Sequence, residues 1–209
     1  MDIGQGAGLS GASGVRPFLP ALLAGALARE DTGLDFDGTS FSFLESPWFL
    51  LAVFALAVAA YLRDRARKPA PAARPGEARA KIASGRSLPD PLDALMLVLG
   101  LALGALLFGG SLADDGYESW PGVLGGIACA ALGYFALASL FAGARRRLAG
   151  SGGPVTLLGA YADAIALVLA GLSILFPPLG FAALVAFLVL IVRSRGDSAQ
   201  KYEGLRSLR

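Results

Sequence analysis

Charged residues in this chain are confined to short blocks, and long apolar runs separate the blocks. The segment 155–192 has 38 residues and a single charge, Asp163. Only 16% of all residues are charged, against about 25% in a typical soluble domain. An apolar run of about 20 residues is the length that a helix needs to cross a bilayer. The pattern therefore predicts an all-α integral membrane protein, with the lipid bilayer as its main partner.

The apolar runs predict about six transmembrane helices in a single transmembrane domain, 1–209. The run 155–192 would be about 57 Å long as one helix, too long for a hydrocarbon core of about 30 Å. Pro177-Pro178 interrupts it, so we divide it into two spans. The second of these is short, and it either extends past Arg193 or is re-entrant. The predicted spans are 7–28, 47–62, 91–113, 121–143, 155–176 and 179–192.

The first predicted span is broken at Arg16-Pro17. Proline lacks an N–H group and disfavours helical geometry in the residue before it. A helix restarting at Pro17 would direct free N–H groups and a positive dipole into the membrane, as broken helices do in transporters. A simple packing kink is the alternative. Six spans also allow a 3+3 inverted repeat, an arrangement common in transporters.

Basic and acidic blocks alternate between the predicted spans. Sixteen of the eighteen Lys and Arg residues lie in 63–89, 145–147 and 193–209, whereas the intervening loops hold eight acidic residues. Because cytoplasmic loops are enriched in Lys and Arg, 63–89 is predicted to be a basic cytoplasmic linker and 193–209 a cytoplasmic tail. Both termini are then cytoplasmic. We expect the bacterial inner membrane as the location.

The composition excludes several functional classes. The chain has no His and one Cys, Cys129, which removes His-based acid–base catalysis and leaves no metal site. We therefore expect no enzyme activity and no cofactor. A net charge of +2 gives no reason to expect nucleic-acid binding. The pairs Gly100/Gly104 and Gly122/Gly126 have the spacing of close helix contacts, which serve helix packing or a homodimer through Gly-rich faces.

Two ionisable residues lie within the predicted spans, Arg16 and Asp163. Such residues persist in membranes mainly where they face a cavity or a partner. Counting helical rise places both about 10–12 Å from the inner face, so they could pair. The pair is either a structural salt bridge or part of a substrate or ion pathway. The remaining candidates for that pathway are Ser10, Ser13 and Tyr161.

Asp90 and Asp93 flank the start of the third span. Aspartates at this position commonly cap a helix N-terminus by accepting hydrogen bonds from its N–H groups. Lining a cytoplasmic vestibule is the alternative role.

Several segments resemble a family of bacterial membrane proteins, the domain of unknown function family 4126. The segments that carry the resemblance are Gly11–Pro20, Ser46-Pro47-Trp48, Asp64-Arg65, Pro89–Asp93 and Gly153–Pro178. The resemblance implies a multi-span inner-membrane protein and keeps Arg16 and Asp163 as candidates, but it assigns no activity. The chain departs from the family pattern where Ala60 or Tyr61 and Ala162 replace acidic residues. An ion pathway that uses those acids would be missing here.

These observations favour a small channel or transporter for an ion or a small solute. The alternative is a non-transporting membrane scaffold, or an accessory protein that interacts with lipids or partners. A cavity that reaches Arg16 favours the first function. A sealed bundle in which Arg16 and Asp163 neutralise each other favours the second.

Overall fold

All regular elements of the described chain are helices. The structure is a computed structural model that describes residues 3–30, 32–66, 91–148 and 156–206, with side chains at 3–30, 32–63, 94–140 and 159–193. A short 3-10 helix covers Ser42–Glu45. The α-helices are α1 Ile3–Val15, α2 Phe18–Ala28, α3 Pro47–Ala66, α4 Pro91–Asp114, α5 Ser119–Leu148, α6 Thr156–Leu175 and α7 Pro177–Arg206. The prediction of an all-α chain is confirmed over these residues.

Prolines mark most of the helix starts. Pro47, Pro91 and Pro177 each occupy the first position of a helix, where the missing N–H group has no hydrogen bond to lose. Pro17 separates α1 from α2, so the predicted break at Arg16-Pro17 is present. The last helix continues for 30 residues to Arg206, so the helix that contains the predicted short span 179–192 extends past Arg193.

Helix α1 occupies the centre of the bundle. Eleven of its 13 residues are buried, and it packs against α4, α5, α6 and α7. Small residues allow this close packing: a Cβ atom on Gly14 would overlap the carbonyl oxygen of Ala130, and one on Gly133 would overlap that of Gly11. The backbones of α1 and α5 are therefore in direct contact, as in tightly packed membrane helices.

The bundle has two ends, which the positions of the loops define. At the acidic end, the loop 29–46 joins α2 to α3, and the turn 115–118 joins α4 to α5. At the basic end, α3 ends at Ala66 and α4 begins at Pro91, so the first four residues of the predicted linker 63–89 belong to α3. Helix α1 runs from the acidic end toward the basic end. Its Gly6 packs against Phe108 near the acidic end of α4, whereas Pro17 approaches Gly100, about two turns closer to the basic end.

Helix α2 returns to the acidic end. Gly25 packs against the carbonyl of Leu44, and the Leu44 side chain packs against Gly110 of α4. Near the open ends of the two helices, Gln5 Nε2 donates a hydrogen bond to the carbonyl oxygen of Gly33 at 2.6 Å. Helices α1 and α2 therefore form a hairpin, with its tip at Arg16-Pro17 and both open ends at the acidic end.

This hairpin corrects the predicted path of the first span. The break lies where the sequence placed it, but the two halves fold back on each other and do not continue across the bundle. The possible 3+3 inverted repeat stays a prediction, and the two halves differ at one point among the described helices. The first three elements would begin with a hairpin, whereas α5, the first element of the second half, is an uninterrupted helix of 30 residues.

Two helical segments are long and apolar enough to cross a membrane, Ala94–Asp114 and Ser119–Leu140. Six complete spans are therefore not confirmed. Four shorter apolar helical segments accompany these two within the described residues. They are Phe18–Ala28, Pro47–Arg63, Gly159–Leu175 and Pro177–Arg193.

Candidate functional site

A cavity of about 730 Å³ lies at the tip of the hairpin, on the side of the basic end. The hairpin contributes Gly14 to Leu19, and Asp163 of α6 completes one wall. The remaining wall residues come from α3, α4 and α5. They are Ala57, Val58, Ala60, Tyr61, Arg63, Met96, Leu97, Gly100, Leu101, Ala130, Tyr134, Leu137 and Ala138.

The position of α3 creates this cavity. Helix α3 packs mainly against α2 and the 3-10 helix, so the half of α3 near the basic end stands apart from α4 and α5. Since α1 ends and α2 begins at the hairpin tip, no element fills the space beyond Pro17 among the described residues. The wall positions on each helix recur at intervals of three or four, which is the spacing of one helix face.

Arg16 and Asp163 form an ion pair at the cavity wall. Arg16 Nε lies 2.6 Å from Asp163 Oδ1, and Arg16 Nη2 donates a hydrogen bond to the carbonyl oxygen of Gly159 at 3.3 Å. The side chains are 31% and 42% exposed, so the pair is open to the cavity. Asp163 is seven residues from the start of α6, or about 10 Å from the basic end. The structure thus brings together the two residues that the sequence predicted could pair.

The hairpin tip holds the ends of two helix dipoles of opposite sign. A helix restarting at Pro17 would direct its positive N-terminal dipole toward the cavity. In the hairpin, however, the C-terminal end of α1 lies at the same tip, and Val15 lines the same cavity. The negative end of one dipole therefore offsets the positive end of the other. The charge of the cavity is determined by its side chains.

Ser10 and Ser13 are not in the cavity wall, although the sequence made them candidates for the pathway. Both are fully buried in the contact between α1 and α4. Ser10 Oγ lies 2.7 Å from two carbonyl oxygens, those of Gly6 and Gly104. Ser13 Oγ donates to the carbonyl of Ser10 at 2.8 Å and approaches that of Gly100 at 3.3 Å. Their hydroxyl groups join helices and do not face a solute.

Tyr161 is also not among the described residues that line the cavity, whereas the side chains of Asp90 and Asp93 lie outside the described part of the chain. Tyr161 is 65% exposed on the outer face of α6. Asp90 lies outside the described residues. Asp93 belongs to the first turn of α4, and its side chain is outside the described part of the chain, so neither aspartate is assigned a role here.

The sequence did not identify Arg63, Tyr61 and Tyr134 as site residues. Arg63 was grouped with the basic linker, but it lines the cavity one turn before the end of α3. A signal was present: Ala57, Ala60 and Tyr61 share one helix face with a polar residue at its basic end. The sequence alone does not show which face of α3 points into the bundle. The same pattern therefore also fits an arginine that anchors the end of α3 at the membrane surface.

Acidic side chains organise the loop between α2 and α3. Asp35, Asp37 and Glu45 place carboxylate oxygens within 4.8 Å of one another. These groups accept hydrogen bonds from the loop backbone: the N–H of Phe36 donates to Glu45 at 2.5 Å, and the N–H of Asp37 donates to Asp35 at 2.8 Å. The cluster therefore shapes the loop that covers the acidic end of the hairpin.

Comparison with known proteins finds a family likeness in the N-terminal part of the chain. No curated protein and no solved structure matches this sequence. Residues 3–65 match the domain of unknown function DUF4126. The matched range contains the hairpin, the acidic loop and nearly all of α3, whereas the segment Gly153–Pro178 lies beyond it. The hairpin, the acidic loop and α3 up to Arg65 are thus similar to the domain of unknown function family 4126, in agreement with the resemblance.

Proposed function

We propose that this chain is a multi-pass membrane protein that transports an ion or a small solute through the cavity at the hairpin tip. The observation that supports this function is the cavity itself. It is large enough for a small solute, and it reaches an ion pair inside the bundle. The alternative of a sealed bundle, which would favour a scaffold, does not fit the exposure of Arg16 and Asp163.

The outer faces of the helices support placement in a membrane. Large apolar side chains such as Leu51, Phe54, Val185 and Leu188 are 52–62% exposed, as expected for faces that contact lipid. Besides the two long apolar helices, three apolar segments have 17 residues, the lower limit for a span of about 17–25. In this proposal α3 to α7 cross the membrane. The hairpin enters from one side, and its irregular tip is tolerated because it lines a cavity.

Orientation in the membrane follows from the basic residues. The linker 63–89 and the C-terminal tail are then cytoplasmic, and the cavity opens toward the cytoplasm. Because α1 begins at the acidic end, residue 3 lies on the outer side in this proposal. This revises the expectation that both termini are cytoplasmic. Bacterial inner-membrane localisation remains part of the proposal.

The hairpin would act as the gate. Between Arg16 and the acidic end, α1 fills the centre of the bundle over 13 residues, or about 20 Å, so a solute in the cavity has no path outward. The ion pair and the Gly159 hydrogen bond attach the hairpin tip to α6. Movement of the tip away from α6 would open a path from the cavity to the acidic end of the bundle. Such a two-state movement is the basis of alternating access.

Flux measurements in proteoliposomes test the function. The full chain is reconstituted, and uptake is measured for a panel of inorganic ions, small carboxylates, amines and neutral solutes. We expect uptake of at least one class, reduced about tenfold or more by Arg16→Gln and by Asp163→Asn. Arg29→Gln is the matched control, because Arg29 is exposed at the opposite end of the bundle. Absence of flux for every solute, with correctly folded protein, would favour the scaffold function.

A further inference from the structure

We propose that an apolar groove at the acidic end of the bundle binds one phospholipid, with an acyl chain in the groove and an ammonium head group at Glu118. The groove has a volume of about 510 Å³, and it shares no wall residue with the cavity at the hairpin tip. Its walls come from the start of α1, the end of α4, the turn 115–118 and the start of α5. The proposal rests on the membrane placement in the proposed function, and it does not require transport.

Small residues leave room for the groove between three helices. The ring of Phe108 lies between Gly6 of α1 and Gly125 of α5, where a Cβ atom on either glycine would overlap the ring. Phe108 and Leu112 are buried and form the floor of the groove. Tyr117 is 64% exposed at its rim. The groove therefore presents almost only apolar atoms to a ligand.

The depth of the groove matches the level at which acyl chains join their head groups. Phe108 and Leu112 lie in the last two turns of α4, and Pro121 and Gly125 lie in the first two turns of α5. Two turns rise about 10 Å, a third of a hydrocarbon core of about 30 Å. Leu124, three residues from Pro121, is 59% exposed, so the groove adjoins the outward apolar face of α5. In the proposed placement, a lipid chain is the molecule that faces this groove.

Glu118 supplies the charged group at the mouth of the groove. Its Oε2 accepts a hydrogen bond from Trp120 Nε1 at 2.7 Å, which holds the carboxylate beside an exposed indole ring. No Lys or Arg of the described chain pairs with this carboxylate. A carboxylate has about four acceptor positions, so the Trp120 bond leaves others for an ammonium group. The exposed rings of Tyr117 and Trp120 attract the same cation.

These features select the head group of the lipid. In phosphatidylethanolamine, the ammonium group can bind Glu118 while an acyl chain covers Phe108 and Leu112. Phosphatidylglycerol carries a net negative charge without an ammonium group, so Glu118 would repel it. A protein partner fits the groove less well, because a stable interface buries about 800 Å² per partner, far more than two helical turns offer.

Quenching of tryptophan fluorescence by brominated lipids tests the inference. The two tryptophans of the chain, Trp48 and Trp120, are both exposed at the acidic end. Trp48→Phe leaves Trp120 beside the groove as the reporter, and Trp120→Phe leaves Trp48 at the start of α3 as the matched control. Each full-length variant is reconstituted in phosphatidylcholine vesicles that contain brominated phosphatidylethanolamine or brominated phosphatidylglycerol with identical chains. We expect an about threefold local preference of Trp120 for phosphatidylethanolamine, the size of one exposed ion pair, and no preference at Trp48.

The charge of Glu118 should account for this preference. Glu118→Gln keeps an acceptor for Trp120 and removes the charge, so the two brominated lipids should then quench Trp120 equally. Glu30→Gln is the matched control, because Glu30 is an exposed acid at the same end and outside the groove. A preference that persists in Glu118→Gln would overturn the inference.

Filling the groove should exclude the acyl chain. Gly125→Leu should reduce the quenching of Trp120 by brominated phosphatidylethanolamine, whereas Gly171→Leu adds the same side chain in open space on α6 and should not. Unchanged quenching in a folded Gly125→Leu variant would place the chain elsewhere and overturn the inference. If the overlap with Phe108 prevents folding of Gly125→Leu, the Glu118→Gln result still decides, because Glu118 is exposed.

The control tryptophan separates failure of this inference from failure of the membrane placement. Equal quenching of Trp120 by both lipids in the otherwise unchanged chain would overturn the inference and keep the placement, because Trp120 would contact only bulk lipid. Quenching of Trp48 without quenching of Trp120 would also overturn it, since a second copy of the chain or residues 1–2 would then cover the groove. If neither tryptophan is quenched by any brominated lipid, the membrane placement is wrong and the inference fails with it.

Discussion

Arg16 and Asp163 join the tip of the hairpin to α6 through an Nε to Oδ1 distance of 2.6 Å. The pair connects the first two helices to a helix near the other end of the sequence. Around it, the centre of the bundle is held by contacts of small residues, so this is a polar anchor at the point where the hairpin reverses. Both the stability of the tip and the charge of the cavity depend on it.

A double-mutant cycle on this pair should show a favourable coupling of about 1 kcal/mol. We expect Arg16→Gln and Asp163→Asn to lower the thermal midpoint in detergent, because each leaves one charge without its partner. The double variant should lose less stability than the two single variants lose together. The cycle of Arg29→Gln with Asp163→Asn is the control and should be additive, since Arg29 lies at the acidic end.

Gly14→Ala should destabilise the protein by about 2 kcal/mol or more, because the new Cβ would overlap the carbonyl of Ala130 and neither backbone can move easily. Gly171→Ala is the matched control. A Cβ on Gly171 would meet no atom within 4 Å, so this helical substitution should be neutral or slightly stabilising. Thermal unfolding of the two variants measures the difference. Equal midpoints would show that α1 and α5 are less closely packed than described.

Ser10→Ala should cost about 1 kcal/mol of stability, because the buried carbonyl of Gly104 loses a hydroxyl donor from α1. Transport should be unaffected per folded molecule, since Ser10 does not line the cavity. Ser139→Ala provides the comparison: Ser139 Oγ donates to the carbonyl of Ala136 in its own helix, so a smaller loss is expected. If Ser10→Ala reduces flux without reducing stability, Ser10 is part of the transport pathway and this prediction is wrong.

Thiol labelling in intact cells should place Ile3 and Ser40 on the same side of the membrane. In a Cys129→Ala background, Ile3→Cys and Ser40→Cys should react with an impermeant maleimide from outside. Ser84→Cys, in the basic linker, should react only after permeabilisation. The expected result follows from the hairpin, whose two ends both lie at the acidic end. Labelling of Ile3→Cys only after permeabilisation would contradict this topology and support a first helix that crosses the membrane.

The sequence predicted the position of the break but not the direction of the chain after it. Pro17 shows where a helix must stop, whereas the angle of the reversal depends on α1 packing among α4 to α7, which no local pattern encodes. The predicted distance of Arg16 from the acidic end nevertheless rests on a correct count along the chain. It was counted back from Arg29, and α2 does run from the tip to the acidic end as that count assumed.

The candidate site was only partly predictable for a similar reason. Charge inside an apolar run identified Arg16 and Asp163, because such residues need a partner or a cavity. Ser10 and Ser13 are also polar residues within an apolar run, but their hydroxyl groups donate hydrogen bonds to buried carbonyl oxygens. Arg63 could not be recognised, because its role depends on the separation of α3 from α4, a property of the packing between distant segments.

The central position of α1 also constrains how the protein can be assembled. Helix α1 is synthesised before the other described helices, yet Gly4 packs against Pro177 and Gly8 against Ser173, in the last two of them. Its glycine- and serine-rich surface is suited to protein contacts and poorly suited to lipid. These contacts can therefore form only after the last two helices have been made, so the packing around α1 is completed late in folding.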